Sequence, residues 1–367
     1  MLRGYRLRDY DFKLVIMVIA LSVIGYMGVT SAKESLREKQ LFGICVGIGF
    51  MLIISLIDYR RLLKLYWFMY IGNIVLLVLV QMLGKTVGGA QRWLEIGSFT
   101  FQPSETAKIL LILFFAQFIM VHRERFNTFR VIALCVILVM IPLVLIVTQP
   151  DLSTSIVILA TFSMMMFAAG LNYKFIFSIL AIVIPSIAIF MSVILQMPDE
   201  ILEKYYMLRR ILAFVDPQKY SEGAYQQVNS ITAIASGMLN GKGYNNNEIT
   251  SLINGNFVPE PQTDFIFTVI GEEFGFKGCV LVIALIMGVA IECASIGRRS
   301  SDVAGAVIGA GLGGLIAVQG FFNMGVATFI LPNTGLPLPF VSYGLTSLVS
   351  LYIAVGFVLN VRLQAKR

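Results

Sequence analysis

The sequence predicts an all-α polytopic membrane protein that forms one domain over residues 1–367. Apolar residues make up 57% of the chain and charged residues only 13%, whereas soluble domains average about 45–50% and about 25%. The apolar residues also recur in long runs with short polar breaks between them, along nearly the whole chain. Both observations indicate that most of the protein lies in a lipid bilayer.

A membrane-spanning helix needs roughly 17–25 mostly apolar residues, and about ten segments of the sequence meet that requirement. They are residues 14–30, 40–57, 62–83, 105–121, 129–148, 152–170, 174–196, 276–296, 303–330 and 343–361. The first segment is long for the apolar core of a signal peptide, so we expect it to remain as a span. An even number of spans predicts that both termini lie on one side of the membrane.

The distribution of Lys and Arg predicts that this side is the cytoplasm. With the termini inside, sixteen Lys and Arg residues lie in cytoplasmic segments and five lie in the short outer loops, which is the asymmetry that membrane proteins show. The net charge of +7 then follows from topology and from contact with anionic lipid headgroups. Because the sequence has no basic stripe interleaved with aromatic residues, a nucleic-acid partner is excluded.

Residue counts exclude several common kinds of active site. His122 is the only histidine, and the predicted topology places it in a cytoplasmic loop, so a Ser-His-Asp or Cys-His mechanism at the outer face is excluded. The four cysteines lie in apolar segments without C-x-x-C spacing, so we expect neither a disulfide framework nor a zinc site. Carboxylates remain able to bind a magnesium-like ion together with substrate phosphates.

Two segments outside the predicted spans have a distinctive composition. A long outer loop covers residues 197–263 between helices seven and eight, and an amphipathic helix is predicted at 205–212, ending before Asp216-Pro217. Residues 331–344 carry no charge but three prolines and two glycines, so they cannot form a regular helix. Irregular backbone near a membrane needs protein or water partners, which predicts a re-entrant or cavity-lining segment between helices nine and ten.

Ionisable residues cluster at two places on the predicted outer side, where charges next to spans tend to be functional. The first cluster contains Arg92 and Trp93 in an outer loop, then Glu105 and Lys108 in the fourth span, which Pro103 opens. Glu105 and Lys108 are three residues apart and therefore share a helix face. They form either a structural ion pair or part of a substrate site.

The second cluster centres on Asp264, where the long outer loop re-enters the membrane. Partial desolvation there is expected to raise the pKa of the carboxylate toward a value that suits a general base, and helix capping is the structural alternative. Asp151 lies in the turn between the fifth and sixth spans, where it either caps the sixth span or adds a second acid to the site. Glu272 and Glu273 either pair with Lys277 or line a cavity.

Several ordered motifs carry a family resemblance over most of the chain. They are Gly89-Ala90-Gln91-Arg92-Trp93-Leu94, Gln102-Pro103-Ser104-Glu105, Gln149-Pro150-Asp151-Leu152, Arg210-Ile211, Pro259-Glu260 with Thr263-Asp264-Phe265-Ile266-Phe267, and Gly335-Leu336-Pro337-Leu338-Pro339-Phe340-Val341-Ser342-Tyr343-Gly344. In these motifs the sequence resembles the SEDS family of bacterial shape, elongation, division and sporulation proteins, the group of RodA, FtsW and SpoVE. The short termini resemble RodA more than FtsW. Gln262 stands where the family often has histidine and Leu345 where it usually has a second glycine, and neither departure removes Asp264.

The resemblance implies a peptidoglycan glycosyltransferase that polymerises lipid II into glycan strands at the outer face of the bacterial plasma membrane, for cell elongation and shape. It also implies a class B penicillin-binding protein, a transpeptidase, as a partner, together with other elongation machinery. A division or sporulation role is the alternative within the family. A flippase or transporter for the lipid-linked precursor and a non-catalytic scaffold are alternatives from other classes. The concentration of candidate charges at the outer side favours the polymerase over a transport path through both leaflets.

The implied reaction assigns roles to the candidate residues. One carboxylate must accept the proton of the attacking sugar hydroxyl, and Asp264 is the candidate base. Arg92, Lys108 and Arg210 are candidates for binding the pyrophosphate leaving group, with no fixed cofactor and with Mg²⁺ or Mn²⁺ as an ion that the substrate pyrophosphate can bring. Trp93 is a candidate for stacking on a sugar. The other predicted substrate-binding residues are Glu105, Asp151 and Ser342.

Overall fold

The computed structural model describes residues 9–87, 90–97, 99–175, 206–245, 251–253 and 255–365, together with positions 177, 181, 185 and 192. Its principal helices and strands are α1 (Phe12–Ala32), α2 (Arg37–Leu56), α3 (Tyr59–Leu63), α4 (Tyr66–Leu83), β1 (Lys85–Val87), β2 (Ala90–Ile96), β3 (Phe99–Phe101), α5 (Pro103–Val121), α6 (Phe129–Thr148), α7 (Leu152–Ala168), α8 (Tyr206–Val215), α9 (Ser221–Ser236), α10 (Ile266–Arg298), α11 (Val303–Ala327) and α12 (Leu345–Gln364). Two short 3-10 helices, Glu34–Leu36 and Arg123–Arg125, precede α2 and α6.

Within these ranges, eight helices are long and apolar enough to cross a membrane: α1, α2 with the turn before it, α4, α5, α6, α10, α11 and α12. The predicted polytopic helical architecture is therefore confirmed. The sixth predicted span corresponds to α7, which is apolar but only 17 residues long. The seventh predicted span, 174–196, lies almost wholly outside the described residues.

Short polar side chains set the starts of several spans. Asp11 accepts a hydrogen bond from the Leu14 backbone N–H at 3.1 Å, and Asp302 accepts one from Gly305 at 2.8 Å. These are N-cap contacts, which satisfy backbone donors that have no partner inside the helix. Pro103 opens α5 as the sequence predicted, because proline has no N–H to leave unsatisfied there.

The centre of the bundle is formed by α5, α11 and α12, the most buried of the spanning helices. Helix α11 packs along α10 and also contacts α5, α7 and α12. The α10–α11 contact is a close backbone approach, since a Cβ placed on Gly309 would lie 2.5 Å from both the Cys293 carbonyl oxygen and the Gly297 Cα. Membrane helices, which gain little hydrophobic energy by associating in lipid, commonly pack through such small residues.

A small antiparallel sheet adds to the expected all-helical fold. Its strand order is β1-β2-β3, with Lys85 opposite Trp93 and Leu94 opposite Phe101. Arg92 and Trp93 were expected in an outer loop, and the strands were not predicted, because β1 and β3 have three residues each and are too short to show an alternating pattern. The sheet orients Arg92 and Trp93, which neighbour each other on β2.

The long outer loop contains one predicted helix and one that was missed. Helix α8 is amphipathic as predicted, with Leu212 at the centre of a small apolar cluster, and it ends before Asp216. Helix α9 was not predicted, because its buried face consists of small and polar residues rather than large apolar ones. Those buried residues are Ala224, Gln227, Ser230 and Ala233.

Helix α10 is interrupted at Gly275, whose φ of 62° and ψ of −160° favour glycine. A Cβ at this position would lie 2.4 Å from the Gly241 nitrogen. Beyond the break, the Phe276 N–H donates to the Met238 carbonyl at 2.8 Å instead of to its own helix. The predicted span 276–296 is thus the second part of α10, and the first part leads back to Asp264.

Candidate functional site

Asp264 lies two residues before α10, at the junction between the long outer loop and the membrane helix. Its backbone carbonyl accepts a 2.7 Å hydrogen bond from Nδ2 of Asn323 on α11, and the same nitrogen donates to the Leu336 carbonyl at 2.7 Å. Asn323 is almost fully buried. One amide therefore joins the candidate base to the irregular segment 331–344.

The irregular segment brings Asp264 close to Arg210. Gly335 has a φ of 72°, and a Cβ there would lie 3.3 Å from Asp264 Oδ2 and 3.8 Å from Arg210 Nη1. Arg210, on α8, also donates from Nη1 to the Asn333 carbonyl at 3.3 Å. A side chain at position 335 would compete with both charged groups for this space, so the glycine permits the carboxylate and the guanidinium to share one face of the segment.

Arg92 projects from β2 onto the turn between α6 and α7. Its Nε donates to the Gln149 carbonyl at 3.0 Å, and its Nη2 donates to the Pro150 carbonyl. Its Nη1 lies 3.8 Å from Asp151 Oδ1. Asp151 also accepts from the Thr154 N–H at 3.2 Å, so it caps α7 and balances Arg92 at the same time.

The same turn contacts the irregular segment, which links the two predicted clusters. Ser153 donates from Oγ to the Thr334 carbonyl at 2.7 Å, next to Asn333 and Gly335. From the other side, Asn333 donates to Gln226 Oε1 on α9 at 3.1 Å. The segment is therefore irregular, as predicted, and several of its backbone carbonyls accept hydrogen bonds from protein side chains.

The electrostatic environment of Asp264 fits the role expected of it. Its side chain keeps partial solvent access. Burial raises the pKa of Asp264 above its ordinary value, while the positive charges of Arg210 and Arg92 act in the opposite direction and Glu260 acts to raise it. A carboxylate in this position can accept a proton near neutral pH more readily than an exposed aspartate.

Glu105 and Lys108 form the ion pair that their spacing suggested, with 2.8 Å between Lys108 Nζ and Glu105 Oε1. Lys108 also donates to Gln319 Oε1 at 2.7 Å, and Gln319 donates to the Pro337 carbonyl at 2.9 Å. Lys108 is 3% exposed and Glu105 is 4% exposed. The structure thus gives both residues an internal role beneath the irregular segment, and their binding of substrate stays a prediction.

Ser342 also has an internal role. Its Oγ donates to the Thr263 carbonyl at 2.6 Å and accepts from the Leu338 N–H at 2.7 Å. The Tyr343 N–H donates to the Gln262 carbonyl at 2.9 Å. These bonds attach the end of the irregular segment to the residues before Asp264, so Ser342 fixes the backbone, and direct contact with substrate stays a prediction.

Sequence reasoning missed Asn323 and Gln319, which are one helical turn apart on α11 and both nearly inaccessible to solvent. The sequence did contain a signal for them, because two amide side chains inside an apolar span are unusual and must find hydrogen-bond partners. The sequence could not show that those partners are carbonyls of the irregular segment and of Asp264. Trp93 is half-buried on β2, and its contact with a sugar stays a prediction.

His122 lies away from these residues at the end of α5, where it stacks on Phe118. No group of three or more His, Cys, Asp or Glu that could hold a metal ion occurs among the residues that the structure describes. The fold and the site together define a polytopic membrane protein that holds a partly desolvated carboxylate near two arginines. Such an arrangement suits proton abstraction beside an anionic group.

Comparison with known proteins identifies the family. The model of the FtsW/RodA/SpoVE cell cycle proteins matches residues 11–367. The peptidoglycan glycosyltransferase MrdB of Escherichia coli is 32% identical over 363 residues, covering 97% of this chain and 94% of that protein. The probable peptidoglycan glycosyltransferase FtsW of Geobacter metallireducens is 31% identical over 372 residues, covering 97% of this chain and 96% of that protein. The chain therefore belongs to the FtsW/RodA/SpoVE family.

Solved structures agree with this assignment. A chain from the study of structural coordination of polymerization and crosslinking by a peptidoglycan synthase complex superimposes with a TM-score of 0.79 at 28% identity, covering 96% of this chain and 97% of that chain. The crystal structure of the rod shape determining protein RodA of Thermus thermophilus gives a TM-score of 0.69 at 25% identity, covering 96% of both chains. The predicted family membership and the predicted multi-pass fold are both confirmed.

Proposed function

We propose that this chain is a peptidoglycan glycosyltransferase that polymerises lipid II into glycan strands. The observation that carries the proposal is the position of Asp264. Its carboxylate and the Arg210 guanidinium both lie next to Gly335. The relatives named peptidoglycan glycosyltransferase extend over nearly the whole chain, which supports placing the same reaction here. The site has a base and positive charge side by side, as transfer from a pyrophosphate-linked sugar requires.

In the proposed reaction, a sugar hydroxyl of the acceptor attacks the anomeric carbon of the donor. The new glycosidic bond forms as the bond between that carbon and the pyrophosphate oxygen breaks, and the lipid pyrophosphate leaves. The hydroxyl proton passes to the Asp264 carboxylate, which acts as the general base, and the anomeric configuration inverts. The raised pKa of Asp264 makes this proton transfer more favourable near neutral pH.

Arg92 and Arg210 stabilise the leaving pyrophosphate in this proposal. Both act electrostatically on Asp264, so both lie within range of charge that develops next to it. Guanidinium groups already held by backbone carbonyls need little reorganisation when that charge appears. Mg²⁺ or Mn²⁺ bound to the pyrophosphate would supply further positive charge, and a fixed protein site for it is not part of the proposal.

We propose that the reaction takes place at the outer face of the bacterial plasma membrane and that both termini are cytoplasmic. The asymmetric distribution of Lys and Arg between the loops supports this orientation. A class B penicillin-binding protein is the proposed partner, which the similarity to a chain of a peptidoglycan synthase complex supports. The similarity to the rod shape determining protein RodA supports a RodA-like role in elongation and cell shape, alongside other elongation machinery, over a role in division or sporulation.

Glycan synthesis from purified lipid II tests the proposal. Wild type and Asp264→Asn would be compared with the penicillin-binding protein added, with and without chelator, and polymer would be resolved by gel. Asp216→Asn is the matched control, because Asp216 is an exposed aspartate of the same outer loop. We expect polymer from wild type and from Asp216→Asn, and a loss of about 10²-fold or more in Asp264→Asn.

Two other results would contradict parts of the proposal. Full activity in a folded Asp264→Asn variant would remove Asp264 from the role of base while leaving the polymerase intact. No polymer from folded, partner-bound wild type would instead favour the flippase, and movement of labelled lipid II across the bilayer of a proteoliposome would then be the decisive measurement. Loss of polymer on chelation would add a divalent ion to the mechanism.

A further inference from the structure

A polar cavity of about 340 Å³ lies between the end of α1, the start of α2 and the turn that follows α9. Each of its wall residues carries a hydroxyl, amide, carboxylate or guanidinium group. They include Tyr26, Thr30, Glu34, Arg37, Tyr244 and Asn245. A cavity with two aromatic rings and no aliphatic wall differs from the apolar spaces between membrane helices, and its size falls within the range of small-molecule sites.

A buried carboxylate outside the cavity is bonded to two of its wall residues, Ser31 and Asn245. Glu273, on α10, is only 8% exposed. Its Oε1 accepts from the hydroxyl of Ser31, a wall residue, and from the Asn245 N–H at 3.2 Å. Its Oε2 is buried and has no hydrogen-bond partner among the described residues. Leaving a buried carboxyl oxygen without a hydrogen-bond partner is costly.

The wall formed by the turn after α9 is fixed to α10 before any ligand binds. Lys242 forms a 2.7 Å ion pair with Glu272, and its N–H donates to the Glu272 carbonyl at 2.9 Å. The Gly243 N–H donates to the Glu273 carbonyl at 3.0 Å. On the facing wall, Arg37 donates from Nε to the Tyr26 hydroxyl at 2.7 Å. The cavity is therefore preorganised, which lowers the cost of binding.

The cavity adjoins the region of Asp264. Lys33, between two wall residues, lies 3.9 Å from Glu260, which acts on the pKa of Asp264. A Cβ at Gly28 on α1 would lie 3.3 Å from Ile266, two residues after Asp264. Glu273 follows Asp264 by nine residues, and the helical part from Ile266 to Glu273 rises by about 11 Å at 1.5 Å per residue. This distance is within the reach of a short oligosaccharide.

We propose that this cavity is a saccharide subsite that holds one sugar of the glycan strand, apart from the bond that reacts at Asp264. A pyranose ring presents apolar C–H faces and a rim of hydroxyls, which match tyrosine rings surrounded by hydrogen-bonding groups. A phosphate fits less well, because Glu34 places a negative charge beside the guanidinium of Arg37. The inference rests on the proposed function, since it assumes that a glycan is made at Asp264.

Binding of chitotetraose, a soluble tetramer of N-acetylglucosamine, tests the subsite without requiring the reaction. The full chain would be held in nanodiscs, and affinity would be measured for wild type, Tyr244→Ala and Arg37→Ala. Tyr225→Ala is the matched control, because Tyr225 is an exposed tyrosine on α9 outside the cavity. We expect each cavity variant to bind the tetramer about tenfold more weakly and to make shorter strands from lipid II, and the control to match wild type.

The two proposals fail in different ways. Equal tetramer affinity in wild type and both cavity variants, or no binding by wild type, would overturn the subsite even if lipid II is polymerised normally. Tetramer binding that depends on Tyr244 and Arg37, in a protein that makes no polymer, would support a saccharide site and overturn the polymerase. Loss of affinity in Tyr225→Ala as well would show a general effect on folding and would overturn the assignment to this cavity.

Discussion

Asn323 provides a sharp test of how the site is held together. Its single side-chain nitrogen donates to the carbonyls of both Asp264 and Leu336, at 2.7 Å each, from a nearly fully buried position. Replacing Asn323 by leucine keeps a side chain of similar size and removes both donors. We therefore expect Asn323→Leu to loosen the attachment of Asp264 to the irregular segment while leaving the carboxylate itself in place.

The magnitude follows from the two carbonyl oxygens that would lose their donor. A buried polar group without a partner costs about 1–3 kcal/mol, so the folded state loses about 2–6 kcal/mol in total. If the share at Asp264, about 1–3 kcal/mol, appears in the activation barrier, the rate of glycan synthesis falls by about 5- to 150-fold. Lipid II binding should change little, because Asn323 is too deeply buried to contact substrate.

Gln227→Leu is the matched control. Gln227 is also buried, and its Nε2 donates to the carbonyls of Val326 at 3.0 Å and Leu331 at 2.8 Å. Both variants lose two buried hydrogen bonds, but only Asn323→Leu releases Asp264. Thermal denaturation and the kcat and KM of glycan synthesis would be measured for each. An equal fall in kcat at equal loss of stability would refute the positioning role of Asn323.

Two further predictions concern charge. The base must be ionised to act, so the acidic limb of the pH–rate profile follows the pKa of Asp264. Arg210→Gln should raise that pKa further and move the limb to higher pH, whereas Glu260→Gln should lower the pKa and move the limb to lower pH. Lys108→Met should lower the stability of the fold by about 3–5 kcal/mol, because it leaves Glu105 charged and unpaired in the interior. Adding Glu105→Leu should restore most of that loss. Thermal denaturation would measure both changes.

The controls for these predictions separate charge from structure. Arg210→Lys keeps the positive charge and should leave the acidic limb near its wild-type position. Shifts of the same sign in Arg210→Gln and Glu260→Gln would contradict the electrostatic account. For the buried pair, a double variant that regains stability but makes no glycan would assign Lys108 to the substrate, whereas recovery of both would make the pair structural.

The sequence was sufficient to predict most of the spanning helices, because each is selected by the bilayer through its own composition. The break in regular structure at 331–344 was also predictable, since three prolines and two glycines in one segment exclude a helix wherever it lies. The ion pair of Glu105 with Lys108 followed from helical spacing alone. In each of these cases the interaction is local, or the partner is the membrane itself.

Other features could not be read from local pattern. Helix α9 buries small and polar residues, because the surface it covers consists of backbone carbonyls around 326–331 that need donors. The sheet that orients Arg92 pairs β2 with two strands of three residues each, which are too short to carry a periodic signal. Glu272 and Glu273 were left between two roles, and the structure separates them. Glu272 pairs with Lys242 rather than with the expected Lys277, which donates to Asn240. Glu273 does not line the polar cavity but bonds to Ser31 and Asn245 in its wall.

The sequence by itself thus determined the membrane architecture, the irregular segment and the identity of Asp264 as the candidate base. Only the tertiary structure decided which groups surround that aspartate. Arg92 comes from a strand, Arg210 from a loop helix and Asn323 from a spanning helix, and contacts across the bundle bring them toward the irregular segment or Asp264. The physical reason is that hydropathy and turn signals act over a few residues. The pairing of buried polar groups instead depends on which segments, distant from one another in the sequence, meet in the folded protein.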